Sequence, residues 1–189
     1  MKKMNRREFL TLSGAAVVAL SLAGCGGGPS TPVAPTGKEA EVVEAINKVW
    51  KEKFDAGQVT YEKLTFNQDA VRAVRGYGRV FEKANETPHK LTPSDYAIVL
   101  EESDGFEAEM LKKYGENSLA GAAGVSEPSS ENVVTLECEY SCEDAAVRAF
   151  VEKLLSNSDS RKAEFISVYL PVVQGKTYMT AVVFRNNKA

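Results

Sequence analysis

The sequence predicts an α+β domain in which helices cover a small sheet, and three observations carry the prediction. Apolar residues recur at helical spacing from Lys38 to Asp55 and again after Asn67. Residues 133–140 alternate with a two-residue period. Two β-rich runs, Phe165 to Val173 and Tyr178 to Arg185, end the chain and are joined by Gln174-Gly175-Lys176, which reads as a hairpin. Helices before and between strands, with an antiparallel pair last, set helices against one small sheet. The 189 residues hold one domain's worth of chain, with a core large enough to fold alone.

The first residues read as an address rather than as part of that fold. Lys2, Lys3, Arg6 and Arg7 make a positive start, and Phe9 to Ala23 is apolar but diluted by Thr, Ser, Gly and Ala. It is too short for a comfortable membrane span. Within it Asn5-Arg6-Arg7-Glu8-Phe9-Leu10 resembles a twin-arginine export signal, and Leu22-Ala23-Gly24-Cys25 resembles a lipobox. The two resemblances imply a signal peptide over 1–24 and a lipid on the thiol of Cys25. They also imply a domain exported already folded, held at the outer face of the cytoplasmic membrane. Two or three acyl chains anchor far more durably than one, each buried methylene contributing about 0.8 kcal/mol. Residues 25–37, beginning Cys25-Gly26-Gly27-Gly28-Pro29, lack large apolar groups and read as a flexible tether. The globular domain is therefore expected over 38–189.

Its elements follow in order. Val42, Val43, Ile46, Val49, Trp50 and Phe54 make one helical face, ending at Gly57. Asn67 is a good cap for a second helix with Ala70, Val71, Val74, Tyr77 and Phe81 as its buried stripe, ended by Thr87-Pro88. A loop through Pro93 leads to a segment at Tyr96 to Leu100, a helix from Phe106 to Tyr114, and a Ser-, Gly-, Glu- and Pro-rich loop over 118–132. Val133 to Tyr140 reads as a strand. Glu143 to Ser156 reads as a helix capped by Ser141, with Asp144 three residues on, close to a capping box.

Charge excludes some partners. Without residues 1–24, which hold four bases and one acid, the chain keeps 19 bases against 25 acids, a net charge of −6. That argues against nucleic acid and against electrostatic adhesion to anionic lipid, leaving the lipid on Cys25 to supply membrane attachment and favouring neutral or cationic partners. With Cys25 lipidated, Cys138 and Cys142 are an even pair in an oxidising compartment, and a disulfide is the leading reading. A zinc site is the rival, weakened by a single histidine and no second cysteine pair.

The order of further landmarks resembles the CAP superfamily, also called SCP or cysteine-rich secretory domains, in its short bacterial extracellular form. Glu44 to Phe54 looks like the family's first helix, and Leu64-Thr65-Phe66-Asn67 with Ala70 to Lys83 looks like its second. His89 falls where the family has a cavity histidine, and Gly115-Glu116-Asn117 resembles its Gly-Glu-Asn signature. Ala146 to Phe150 and Ser158-Asp159-Ser160-Arg161 sit near two more family landmarks, but Phe150 replaces a tryptophan and Ser160 or a neighbour stands where a second histidine is expected. The resemblance implies a three-layer α-β-α sandwich with a small antiparallel sheet, and a cleft lined by His89, Glu116, Asn117 and Ser160. It also implies that His89 and Glu116 hold a divalent cation such as zinc, with Glu152 an unsupported extra. Two ligands hold a hydrated metal weakly. His89 reads equally as a solvent-exposed histidine, and Glu116 as a cap or loop support.

No Gly-x-Ser-x-Gly elbow, phosphate loop or His-Glu-x-x-His helix occurs. The acidic pairs Glu101-Glu102 and Glu107/Glu109 read as solvated helix faces. The expectation is a monomeric, non-enzymatic binding module of the cell envelope, holding a lipid-like, glycan or protein partner. The alternative is a metal-dependent or hydrolytic envelope enzyme using His89 and Glu116.

Overall fold

The computed structural model describes residues 37–188. Arg6, Arg7 and Cys25 lie outside the described residues. The chain opens with α1 (Gly37–Asp55), whose Val42, Val43, Ile46, Val49 and Trp50 are all buried. Trp50 is fully enclosed, and its indole N–H donates to the Tyr61 carbonyl at 3.0 Å, so the one polar atom of the ring is satisfied inside the core. Asn47 ties α1 to the next segment: its Nδ2 donates to the Leu64 carbonyl at 3.1 Å and its Oδ1 accepts from the Leu64 N–H at 2.8 Å.

Leu64 leads into β1 (Thr65–Phe66). Asn67 then caps as expected, accepting from the Asp69 N–H at 2.9 Å, but it caps a 3-10 turn, Gln68–Ala70, that precedes α2 (Arg72–Ala84). The following elements are β2 (His89–Lys90), α3 (Pro93–Ser103), α4 (Phe106–Tyr114), β3 (Leu119–Ala123) and β4 (Val133–Val134). After them come α5 (Asp144–Leu154), a 3-10 helix over Ser158–Lys162, β5 (Phe165–Tyr169), β6 (Val172–Val173), β7 (Lys176–Thr177) and β8 (Thr180–Phe184).

The main sheet has the order β1-β5-β8-β3. The hairpin forms as expected, β5 and β8 pairing antiparallel from Phe165↔Phe184 to Tyr169↔Thr180. Its tip carries the small β6/β7 ladder, closed by Gln174 and Gly175 at φ 52° and 76°. Two positive φ values in succession are the signature of a type I′ turn, whose twist matches that of the strands it joins. The sheet is not purely antiparallel, because β1 runs parallel to β5.

Alternation along β8 divides the core. Ala181 and Val183 face α1 and α5, together with Ile166 and Val168 of β5. Val182 and Phe184 face the other way, onto Ala73 and Val74 of α2 and Phe106, Met110 and Tyr114 of α4. The sheet therefore has helices on both faces. A third cluster joins Val80 and Phe81 of α2 and Val99 of α3 to Val125, Val134 and Leu136.

Three elements depart from expectation. The segment at 96–100 belongs to an eleven-residue helix, α3, started by a capping box in which the Thr92 side chain accepts from Asp95 N–H while Asp95 accepts from Thr92 N–H. The loop expected over 118–132 contains β3, an edge strand of the main sheet. The strand expected over 133–140 is reduced to Val133–Val134 plus isolated bridges, Val125↔Leu136 and Glu139↔Tyr178, because it crosses from one partner to another. The helix that follows begins at Asp144 with Glu143 as its cap residue, and Ser141 Oγ accepts from the Glu143 N–H at 3.1 Å, one residue short of the Asp144 N–H that a capping box would need.

Candidate functional site

The lone histidine sits at a junction of three elements. α2 ends at Asn85, held in the left-handed region at φ 52°. The chain then returns through Glu86 to β2, where His89 pairs with Val134, and Thr92 starts α3. This brings Glu86, His89 and Asp95 together. His89 Nδ1 lies 2.5 Å from Glu86 Oε1, and Nε2 lies 3.0 Å from Asp95 Oδ2. The same Asp95 oxygen accepts from Thr92 N–H at 2.8 Å and from Thr92 Oγ1 at 2.7 Å, and Lys83 Nζ stands 3.9 Å from Oδ1. The His89 and Asp95 side chains are 10% and 7% exposed, whereas Glu86 is 55% exposed.

Two carboxylates facing two ring nitrogens require two N–H donors, so the geometry holds His89 as an imidazolium. Burial pushes its pKa down, but the hydrogen bonds to Asp95 and Glu86 outweigh burial and raise it. Asp95 is the reverse case: burial pushes it up, and bonds from Thr92 and His89 bring it below the usual carboxylate value. An imidazolium so engaged has no lone pair to offer a proton or a metal. What this cluster does chemically is hold a charge in place.

The Gly-Glu-Asn motif lies elsewhere. Gly115 ends α4 at φ 87°, and a Cβ there would meet the Asn187 backbone at 3.0 Å, so the position requires glycine. Asn117 takes φ 54°, the left-handed conformation asparagine tolerates. The segment after β8 closes over both: Asn187 Nδ2 donates to the carbonyls of Glu116 and Asn117, each at 2.9 Å, and Arg185 N–H donates to Ser118 O. The backbone thus accounts for Gly115 and Asn117, and the Glu116 side chain is exposed.

The structure does not bring His89 and Glu116 together. Glu116 precedes β3, whereas His89 is reached past its far end, through Val125, Leu136 and Val134. The stretch from Ser118 to Val125 alone corresponds to roughly 20 Å of extended chain. Ser160 belongs to neither place. It is fully buried, its Oγ donating to the Ala120 carbonyl at 3.0 Å and pressing on Gly121. The residues implied for a cation therefore do not fit one, and among the described residues no group of three or more His, Cys, Asp and Glu side chains is arranged to hold a metal ion. Glu152 is on the α5 surface, ion-paired to Lys53.

Cys138 and Cys142 are both free thiols, so the expected disulfide is not formed. Cys138 is docked in an extended stretch whose carbonyl accepts from Met179 N–H at 2.8 Å, and its side chain packs on the core with Tyr140. Burial raises its pKa. Cys142 is exposed, with Sγ donating to Tyr140 Oη at 3.8 Å. The Tyr140 hydroxyl in turn donates to Glu41, and Lys38 Nζ lies 4.9 Å from the centre of its ring.

Sequence reasoning missed Glu86 and Asp95 as the partners of His89. The signal was present in Thr92-Pro93-Ser94-Asp95, a capping-box pattern with proline at the first helical position, which fixes a carboxylate in the first turn of α3, six residues after the histidine. Compared with known proteins, the chain matches no family model, no curated protein and no solved structure.

Proposed function

We propose that this chain is an extracytoplasmic lipoprotein, exported by the twin-arginine route and anchored through Cys25, whose CAP-like domain is a non-enzymatic binding module of the cell envelope. The observation that carries the reading is the succession of Arg6-Arg7, a short diluted apolar stretch, Leu22-Ala23-Gly24-Cys25 and a tether without large apolar residues. No helix among the described residues is long and apolar enough to cross a membrane, so the lipid is the attachment this reading invokes. Helices on both faces of the sheet support the CAP-like comparison. The binding reading is favoured over the enzymatic one because His89 is saturated by carboxylates and separated from Glu116.

The test is metabolic labelling with an alkyne-tagged fatty acid, followed by membrane fractionation. The native chain is expected to carry label and to sediment with membranes. Cys25→Ser is expected to lose the label, and Arg6→Lys with Arg7→Lys to leave an unprocessed precursor inside the cell. Label persisting in Cys25→Ser, or native protein free of label, refutes the lipoprotein reading.

A further inference from the structure

Helix α3 is built inside out. Of its three acidic residues, Asp95 and Glu102 are buried, along with Val99, and Glu101 is exposed. Its solvent side carries Pro93, Tyr96, Ala97 and Leu100 instead, with Tyr96 37% and Leu100 55% exposed. An amphipathic helix normally docks the other way round, apolar stripe inward. What holds α3 to the body is therefore mainly charge. At its N-terminal end Asp95 meets Nε2 of His89 at 3.0 Å. Near its C-terminal end Glu102 meets Arg75 at 3.1 Å and also Arg79, both on α2. Between these ionic contacts the apolar grip is Val99, with Ile98 packed at the edge of the same cluster. The next helix, α4, is two residues shorter, yet it buries Phe106, Met110 and Tyr114.

The two kinds of attachment respond differently to opening. Apolar side chains lifted from a core lose their burial and recover nothing, whereas buried carboxylates regain hydration when they leave. A helix held by ion pairs thus opens at lower cost than one held by aromatic and methionine side chains. Past α3 the chain turns at Gly105, at φ 72°, where a Cβ would meet only Glu109 Oε1 at 4.0 Å. From this we infer that α3 is an ionically latched lid, swinging off α2 as a unit while the sheet stays folded. Its departure bares part of the cluster that Val99 shares with Tyr77, Val80 and Phe81. The N-terminal latch also answers to pH. His89 faces Asp95 of α3 and Glu86 of the turn after α2, and Lys83 of α2 stands 3.9 Å from the other Asp95 oxygen. From β4 its partner is the uncharged Val134, and the adjacent Lys90 is exposed. With one proton fewer, the ring has a single N–H for two carboxylates, so one contact fails and the lid opens more often. Nothing in this motion depends on the lipid at Cys25.

Hydrogen exchange of the full chain, read by mass spectrometry and corrected for the intrinsic effect of pH, tests the lid. Length, a capping box and proline at the first position make α3 locally the better helix, so local rules rank its protection above that of α4. A latched lid requires the reverse. Amides at 97–103 are expected to exchange at least about tenfold faster than those at 110–114, and faster than the central strand β8, which reports global unfolding. Between about pH 6 and about pH 9, the α3 rate relative to α4 is expected to rise at least about threefold. His89→Gln should abolish that rise, and Glu102→Gln should raise the α3 rate about tenfold at both pH values. Protection of α3 equal to or above that of α4, no rise with pH, a rise that persists in His89→Gln, or an unchanged α3 rate in Glu102→Gln each overturns the proposal. Should Glu102→Gln not fold, the order of α3 and α4 in the native chain and its pH response decide alone.

Discussion

Ser160 and Gly121 offer a sharp test of how the 3-10 helix is locked to the sheet. The β3/β8 register shifts between Leu119 and Gly121, which leaves Ala120 as an extra residue. An extra residue falls outside the ladder, and the Ser160 hydroxyl supplies a donor to its carbonyl at 3.0 Å. Ser160→Ala removes that donor at a fully buried position, which should cost about 1–3 kcal/mol. A methyl on Gly121 would overlap Ser160 Oγ and stand 2.8 Å from the Leu154 carbonyl, overpacking that costs about 1–3 kcal/mol. Were the sites independent, the double variant would lose the sum. They share one oxygen, however, and deleting it relieves the worst of the overlap. Ser160→Ala combined with Gly121→Ala should therefore fall short of additivity by about 1 kcal/mol or more, the remainder being the Leu154 contact. Urea unfolding of the four proteins, with the denaturant slope unchanged across them, measures this. Additivity to within about 0.5 kcal/mol, or a Ser160→Ala variant as stable as the parent, would refute the lock and return Ser160 to the list of candidate binding groups.

Three further outcomes are expected. Glu102 is 1% exposed and held by Arg75 at 3.1 Å and by Arg79. Removing it by Glu102→Ala should cost near the low end of the roughly 3–5 kcal/mol typical of a broken buried pair, because both arginines are partly exposed and can turn to water; an unchanged urea midpoint would show the network to be idle. His89, with its folded pKa raised, stabilises the fold fully below its unfolded pKa near 6.5 and loses that contribution as pH rises through the folded value. Thermal melts of the native chain between neutral and alkaline pH should therefore decline more steeply than those of His89→Gln, and parallel curves would contradict the imidazolium assignment. Asn187→Ala should speed amide exchange at residues 115–118 while moving global stability by less than about 1 kcal/mol; unchanged exchange would mean that the Gly-Glu-Asn turn holds itself.

Much of the architecture was legible where periodicity was strong. α1, α4, α5 and the β5/β8 hairpin lie close to their expected places because an amphipathic stripe or a turn with positive φ specifies each locally. β3 was hidden for a physical reason. Leu119-Ala-Gly-Ala-Ala123 has almost no strand propensity, and it is a strand because small residues let Ser160 and the last turn of α5 approach the backbone closely. Tertiary packing chose the element and its composition records the packing. The run at 133–140 misled in the opposite sense, since its clean alternation reflects serial contacts with Val125 and with Tyr178 rather than one long ladder.

The candidate site was less legible, and the cause lies in what a short motif encodes. Gly-Glu-Asn suggested a cleft because its glutamate was read together with its neighbours, yet Gly115 and Asn117 are demanded by backbone angles and by the approach of Asn187. Only the side chain of Glu116 remains free to carry chemical meaning, and it is exposed just before the start of β3, whereas His89 is reached past the other end of that strand. The histidine, for its part, gains its character from Glu86 and Asp95, residues three before and six after it. That local origin makes the cluster a brace between the end of α2 and the start of α3, tightened by protonation. A hollow beside Arg161 has the opposite construction: its walls come from three segments far apart in sequence, Lys53 to Gln58, Glu152 to Leu155, and Arg161. No sequence motif announces such a place, because nothing local requires those residue types to converge.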